Sequence, residues 1–178
     1  MGAVPVITIT GWSNSGKTTF NTHVVEILSN AGIRVGAIKR HGHAPGGVDQ
    51  EGKDSWKYAQ AGANPVVLSA SAQYAIFVST PEKEPTRDEL IAKIADDVDL
   101  VLVEGFRSSA EGAVELYRTA AGHPDPKLAP DERIAVITDN EKLAEEVRFE
   151  GKPVFGLEDF HEVARYYCEL AGLQVAGL

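Results

Sequence analysis

Residues 11–18 read Gly-Trp-Ser-Asn-Ser-Gly-Lys-Thr and satisfy G-x-x-x-x-G-K-[ST], the phosphate-binding loop. Roughly one chain of this length in a hundred would carry the pattern by chance at ordinary residue usage, so the flanks matter. Val4 to Thr10 before it is a short β-branched run suited to a buried strand. After it, Phe20, Val24, Ile27, Leu28 and Ala31 recur at helical spacing, and Gly32 stops the run. Strand, glycine loop and helix together restrict the chain to an α/β sheet protein with an anion site at a helix start. The alternative is a tight strand-to-helix turn in an unrelated sheet protein.

The chemistry of the loop is local. Gly11 and Gly16 let backbone N–H groups point inward, where a side chain would block a phosphate. The helix starting near Lys17 adds its positive dipole end. Lys17 reaches the β- and γ-phosphates as a mobile point charge, and the Thr18 hydroxyl is a hard-oxygen ligand for Mg2+.

At 178 residues the chain is expected to form one domain over 1–178. No apolar run approaches the ~20 residues of a membrane span, and the N-terminus lacks the pattern of a signal peptide. Cys168 is the single cysteine, which excludes an internal disulfide. These features predict a cytoplasmic protein, with Cys168 packed in a helix. A net charge of −9 argues against general nucleic-acid binding.

Further elements follow in order. Val35 to Ile38 reads as a second buried strand, and residues 39–52 as a long polar loop in the position of a switch loop. A helix is expected from Asp54, as N-cap, to Gly62. Pro65 to Ser69 and Tyr74 to Ser79 read as strands joined so closely that they must be antiparallel, making the sheet mixed. Thr86-x-x-Glu89 predicts a capping box opening a helix through Ile94. Within Asp99 to Phe106, the four apolar residues Leu100 to Val103 end in an acid, Glu104, as a Walker B strand would. Glu104 would then reach the ligand edge of the sheet, to hold Mg2+ or orient the attacking water. Ala113 to Arg118, Arg133 to Asp139 and Val154-Phe155 are further strands, and Phe160 to Ala171 a closing amphipathic helix. Asp139 has two readings, as acceptor for guanine N1–H and N2–H2 or as cap of the next helix, where Thr138-x-x-Glu141 is itself a capping box. His41 and His43 could ligate a transition metal; with Lys39 and Arg40 they are read instead as contacts for anionic groups.

With these stretches in place, the chain resembles the molybdopterin-guanine dinucleotide biosynthesis adaptor family (MobB) over residues 4 to about 170. The resemblance is carried by Ser15-Gly16-Lys17-Thr18-Thr19, Ile38-Lys39, Asp49, Gly52-Lys53-Asp54-Ser55, Ala61-Gly62-Ala63, Asp99 to Phe106, Arg118 and Gly122-His123. It implies an α/β, P-loop NTPase-like three-layer fold with a mixed, mostly parallel sheet and an antiparallel strand pair. It also implies a GTP-binding protein with weak GTPase activity, a homodimer, that assists the guanylyltransferase joining GMP to molybdopterin. Under it Asn14 to Thr19, with Gly11, hold phosphates, and Thr18 with Glu104 serves Mg2+. Asp49 or Asp54 would approach the same centre, and Asp139 would read guanine. Lys17 and Glu104 are the residues expected to act on the reaction, and molybdopterin is a further candidate ligand. No nucleic acid and no membrane is expected as partner. The chain departs from the family pattern at Arg40, Pro45-Gly46-Gly47, Arg107 and Gly112-Ala113-Val114, which bears on partner or pterin contacts more than on nucleotide. A small-molecule kinase and a metal-insertion GTPase are the competing functions.

Overall fold

The computed structural model describes residues 3–40, 48–106, 112–175 and 177. The chain divides into two compact units, Met1–Arg40 with Arg87–Leu178, and His41–Thr86. In chain order the strands are β1 (Val6–Thr10), β2 (Val35–Lys39), β3 (Val66–Ser69), β4 (Tyr74–Phe77), β5 (Leu100–Glu104), β6 (Ala113–Tyr117), β7 (Arg133–Thr138) and β8 (Val154–Phe155).

The first unit is built on a six-stranded sheet of spatial order β2-β5-β1-β6-β7-β8, in which every pairing is parallel. Parallel strands need crossovers that cover both faces, which is why these strands are nearly continuous apolar runs. One face buries Ile7, Ile9, Leu102, Val114, Leu116 and Ile137 under α1 (Lys17–Asn30) and α5 (Phe160–Ala171). Those helices contribute Phe20, Val24 and Leu28, and Val163, Ala164, Tyr167 and Cys168. The opposite face buries Tyr117 and Val136 with Leu143 and Val147 of α4 (Glu141–Phe149). Each such large apolar side chain contributes about 1.5–3 kcal/mol by leaving water. The three-layer, P-loop NTPase-like arrangement expected from the sequence is therefore present.

The second unit holds α2 (Asp54–Gln60) and the antiparallel hairpin of β3 with β4. The hairpin forms a two-stranded sheet of its own, so the expected antiparallel pair is present but, contrary to expectation, does not make the six-stranded sheet mixed.

Three local expectations are corrected. Lys53, with extended backbone, occupies the N-cap of α2, and Asp54 is the first helical residue. The helix expected through Ile94 is α3 (Arg87–Ile91), followed by a 3-10 turn at Ala95–Asp97. The tightening delivers the Asp97 carbonyl and Asp99 carboxylate to Arg34, and Ile94 packs where a side chain on Gly36 would fall. The cap of α4 is Asn140, whose Oδ1 accepts from the Leu143 N–H at 2.9 Å. Neither Thr138 nor Asp139 fills that position, because the Thr138 hydroxyl is already used by the Asn140 N–H at 3.0 Å.

Candidate functional site

The loop between β1 and α1 depends on backbone that few residues adopt. Gly11 has φ 148 and Gly16 has φ 91, while Asn14, the one non-glycine with positive φ among the described residues, has φ 61. Asn tolerates this left-handed region better than most residues. A Cβ on Gly11 would collide with the Leu116 carbonyl oxygen. Gly16 caps α1 without any side-chain acceptor, so the first-turn amides of the helix are left for a ligand. Ser15 is buried. The Lys17 ammonium lies folded over the loop, donating to the Trp12 carbonyl at 2.6 Å and to Ser15 Oγ at 3.4 Å. Burial, with Lys127 and Lys39 nearby, holds the Lys17 ammonium below the usual lysine range, although Glu104 pulls it back up.

Register brings Glu104, the acid expected to end a Walker B strand, to this loop. β5 lies between β2 and β1, so Glu104 pairs with Ile9 on one side and Lys39 on the other. The Thr18 hydroxyl is 3.2 Å from both carboxylate oxygens of Glu104. Lys39 Nζ donates to Thr18 Oγ1 at 2.7 Å and lies 3.4 Å from Glu104 Oε1. A hydroxyl and a carboxylate already grouped about a positive charge fit a hard divalent cation. Among the described residues no group of three or more His, Cys, Asp or Glu is placed to hold a metal.

A strap that no sequence motif announces covers the other side of the loop. The Trp12 indole donates to the Asp125 carbonyl at 2.8 Å and stacks on His123 with centroids 4.3 Å apart. Tyr117 OH donates to the His123 carbonyl at 2.7 Å, and Lys127 Nζ reaches the Gly11 carbonyl at 3.4 Å. Beneath the strap, fully buried Glu115 accepts the backbone N–H groups of Lys127 and Leu128. Arg133 stands 3.8 Å from the second carboxylate oxygen and donates to the Leu128 carbonyl at 3.0 Å. A sequence signal for it is a charged residue in the buried strand Ala-Val-Glu-Leu-Tyr, two positions before its end, besides the Gly122-His123 segment that carries the resemblance.

The remaining candidates fall as follows. Thr19 is exposed on the first turn of α1. It lines a cleft of about 320 Å3 beside the loop with His23, Arg118, Leu157, Glu158 and Phe160. Asp139 is exposed at the end of β7, and its Oδ1 accepts the Thr119 N–H at 2.7 Å. Asp49 and Asp54 belong to the second unit. There Asp49 Oδ1 accepts from Ser55 Oγ at 3.1 Å, and Asp54 pairs with Lys57 at 3.4 Å. His41, His43 and Arg107 lie outside the described residues. No helix among the described residues is long and apolar enough to cross a membrane.

Residues 6–139 match the family model described as "Molybdopterin guanine dinucleotide synthesis protein B". The molybdopterin-guanine dinucleotide biosynthesis adapter protein of Escherichia coli (strain K12) is 32% identical over 160 residues, covering 88% of this chain and 91% of the relative. The protein of the same description from Haemophilus influenzae is 37% identical over 142 residues, covering 79% and 77%. Among solved structures, a crystal structure of molybdopterin-guanine biosynthesis protein B is 27% identical at a TM-score of 0.67, covering 93% of this chain and 99% of that one. The Bacillus subtilis MobB crystal structure, 23% identical, shares the fold at a TM-score of 0.70, covering 98% and 99%.

Proposed function

The chain belongs to the molybdopterin guanine dinucleotide synthesis protein B family, and on that premise we propose that it is a GTP-binding adaptor with weak Mg2+-dependent GTPase activity in molybdenum-cofactor biosynthesis. The observation that carries the reading is the meeting of Thr18 and Glu104 at 3.2 Å, next to a loop whose lysine lies over its own backbone carbonyl. In this reading Lys17 leaves the Trp12 carbonyl for the phosphates, and the amides of the loop and of the first turn of α1 hold their oxygens. Thr18 and Glu104 hold Mg2+, which supplies charge neutralisation at the β- and γ-oxygens. Thr19 faces the cleft assigned to the nucleoside, and Asp139, which does not line that cleft, is assigned to the guanine edge by family pattern.

In this reading hydrolysis is slow because Glu104, paired with Thr18, is committed to Mg2+ and is not free to take a proton from water. We expect turnover below about 10⁻² s⁻¹ without a partner, under the usual enzyme range. The adaptor role then dominates, with a MobA-type guanylyltransferase as partner and molybdopterin as a ligand carried or approached in the complex. The working form is a cytoplasmic homodimer. Its support is one face of the β3–β4 hairpin, where Val67, Tyr74, Ile76 and Val78 alternate outward and are each more than half exposed. Asp49 and Asp54 are assigned to the nucleotide site by family pattern alone.

Equilibrium titration with GTP, GDP and ATP, each with and without Mg2+, tests the reading. Guanine nucleotides should bind and ATP should bind at least tenfold more weakly, about 1.4 kcal/mol. Equal affinity for ATP would remove the guanine assignment.

A further inference from the structure

Lys39 ends β2 in register with Glu104 at the end of β5. The two strand ends are also tied by the Arg40 N–H donating to the Glu104 carbonyl at 2.9 Å. The ammonium thus reaches both oxygen groups that would bind a metal, Thr18 Oγ1 at 2.7 Å and Glu104 Oε1 at 3.4 Å. Its side chain is 50% exposed, against 16% for Glu104, so it can leave without opening the core. An ammonium on a flexible stem is a compact cation with three donors. A divalent ion on the same two oxygens would repel it at close range.

We propose that Lys39 is a built-in counter-cation of the nucleotide site: with no divalent cation bound its ammonium occupies the seat between Thr18 and Glu104 and meets the phosphates from there, and it is displaced towards solvent when a divalent cation takes that seat. The inference rests on the nucleotide reading above. It assigns work to a residue that the loop motif and the Walker B strand leave unexplained. The same charge that keeps Thr18 and Glu104 together in the free protein serves phosphate oxygens directly when metal is scarce. Nucleotide binding is therefore less dependent on Mg2+ than the Thr18–Glu104 pair alone would make it.

The test measures GDP affinity in EDTA and in saturating Mg2+ for the wild type, Lys39→Met and Lys39→Arg, with thermal melts to confirm folding. Lys39→Met should lose about tenfold or more in EDTA and less than about threefold in Mg2+, so that its dependence on metal rises. Lys39→Arg keeps the charge and should stay within about threefold of wild type in EDTA. A loss by Lys39→Met of the same size with and without Mg2+, or no loss in either, overturns the inference while leaving nucleotide binding intact. If wild type binds no guanine nucleotide even with Mg2+, the nucleotide reading itself fails and this inference falls with it.

Discussion

Glu115 and Arg133 face each other from adjacent strands, both buried, with Arg133 Nε 3.8 Å from Glu115 Oε2. The pair holds the strap that reaches Trp12 and Gly11. Burial pushes the Glu115 carboxyl above the usual range, while the Lys127 and Leu128 amides and Arg133 pull it down less strongly. Glu115→Ala leaves Arg133 buried without its partner and should cost about 3–5 kcal/mol in urea unfolding. The raised folded value means that the folded state holds the proton more tightly than the unfolded chain. This contribution is complete below the ordinary value of 4.5 and is lost as pH rises through the folded value. The stability of wild type relative to Glu115→Gln should accordingly fall as pH rises from 4.5. A pH-independent difference would mean that Glu115 is not shifted.

Gly11→Ala places a Cβ against the Leu116 carbonyl at a φ of 148. Strain of this kind costs on the order of 1–3 kcal/mol. Thermal melts should drop by roughly 2–10 °C, and GTP affinity should fall by at least about tenfold as the loop shifts. An unchanged melt and unchanged affinity would show that the loop accommodates a side chain.

The layers, the parallel strands and the closing helix are legible in the sequence because burial on both faces leaves a continuous apolar signature, as in Leu100 to Val103. The phosphate loop is legible because its backbone demands glycine at Gly11 and Gly16. Glu104 is legible as an acid ending an apolar strand. The strap is not, because it depends on distant pairings, such as Trp12 with Asp125, that no local period records. The cap of α4 falls one residue past Asp139, since Asx and Thr residues compete for the same amides there, and that of α2 falls one residue before Asp54, at Lys53, which makes no side-chain cap hydrogen bond. Lys39 carries a charge expected to meet an anion, and that anion, Glu104, is the protein's own.

Asp139→Asn separates recognition from architecture. Asn140 caps α4, so the helix keeps its start, and an Asn oxygen can still accept the Thr119 N–H. The melting temperature should move by less than about 2 °C, while preference for GTP over ATP should fall by about tenfold. Unaltered discrimination would confine Asp139 to its bond with Thr119.

Ile76→Glu puts a charge on the exposed apolar face of the hairpin, opposite Val67. Sedimentation should shift from dimer to monomer, with dimerisation weakened by at least about tenfold. A dimer of unchanged strength would move the interface elsewhere.

In the proposed function the main chain of residues 11–18 grips a nucleotide through its phosphates. Calorimetric titration of GTP in Mg2+ against wild type and Lys17→Ala tests it most directly. Wild type should bind saturably, and the variant should lose at least about tenfold in affinity, or 1.4 kcal/mol. Equal GTP affinity in the two proteins, or no binding by wild type, would contradict it.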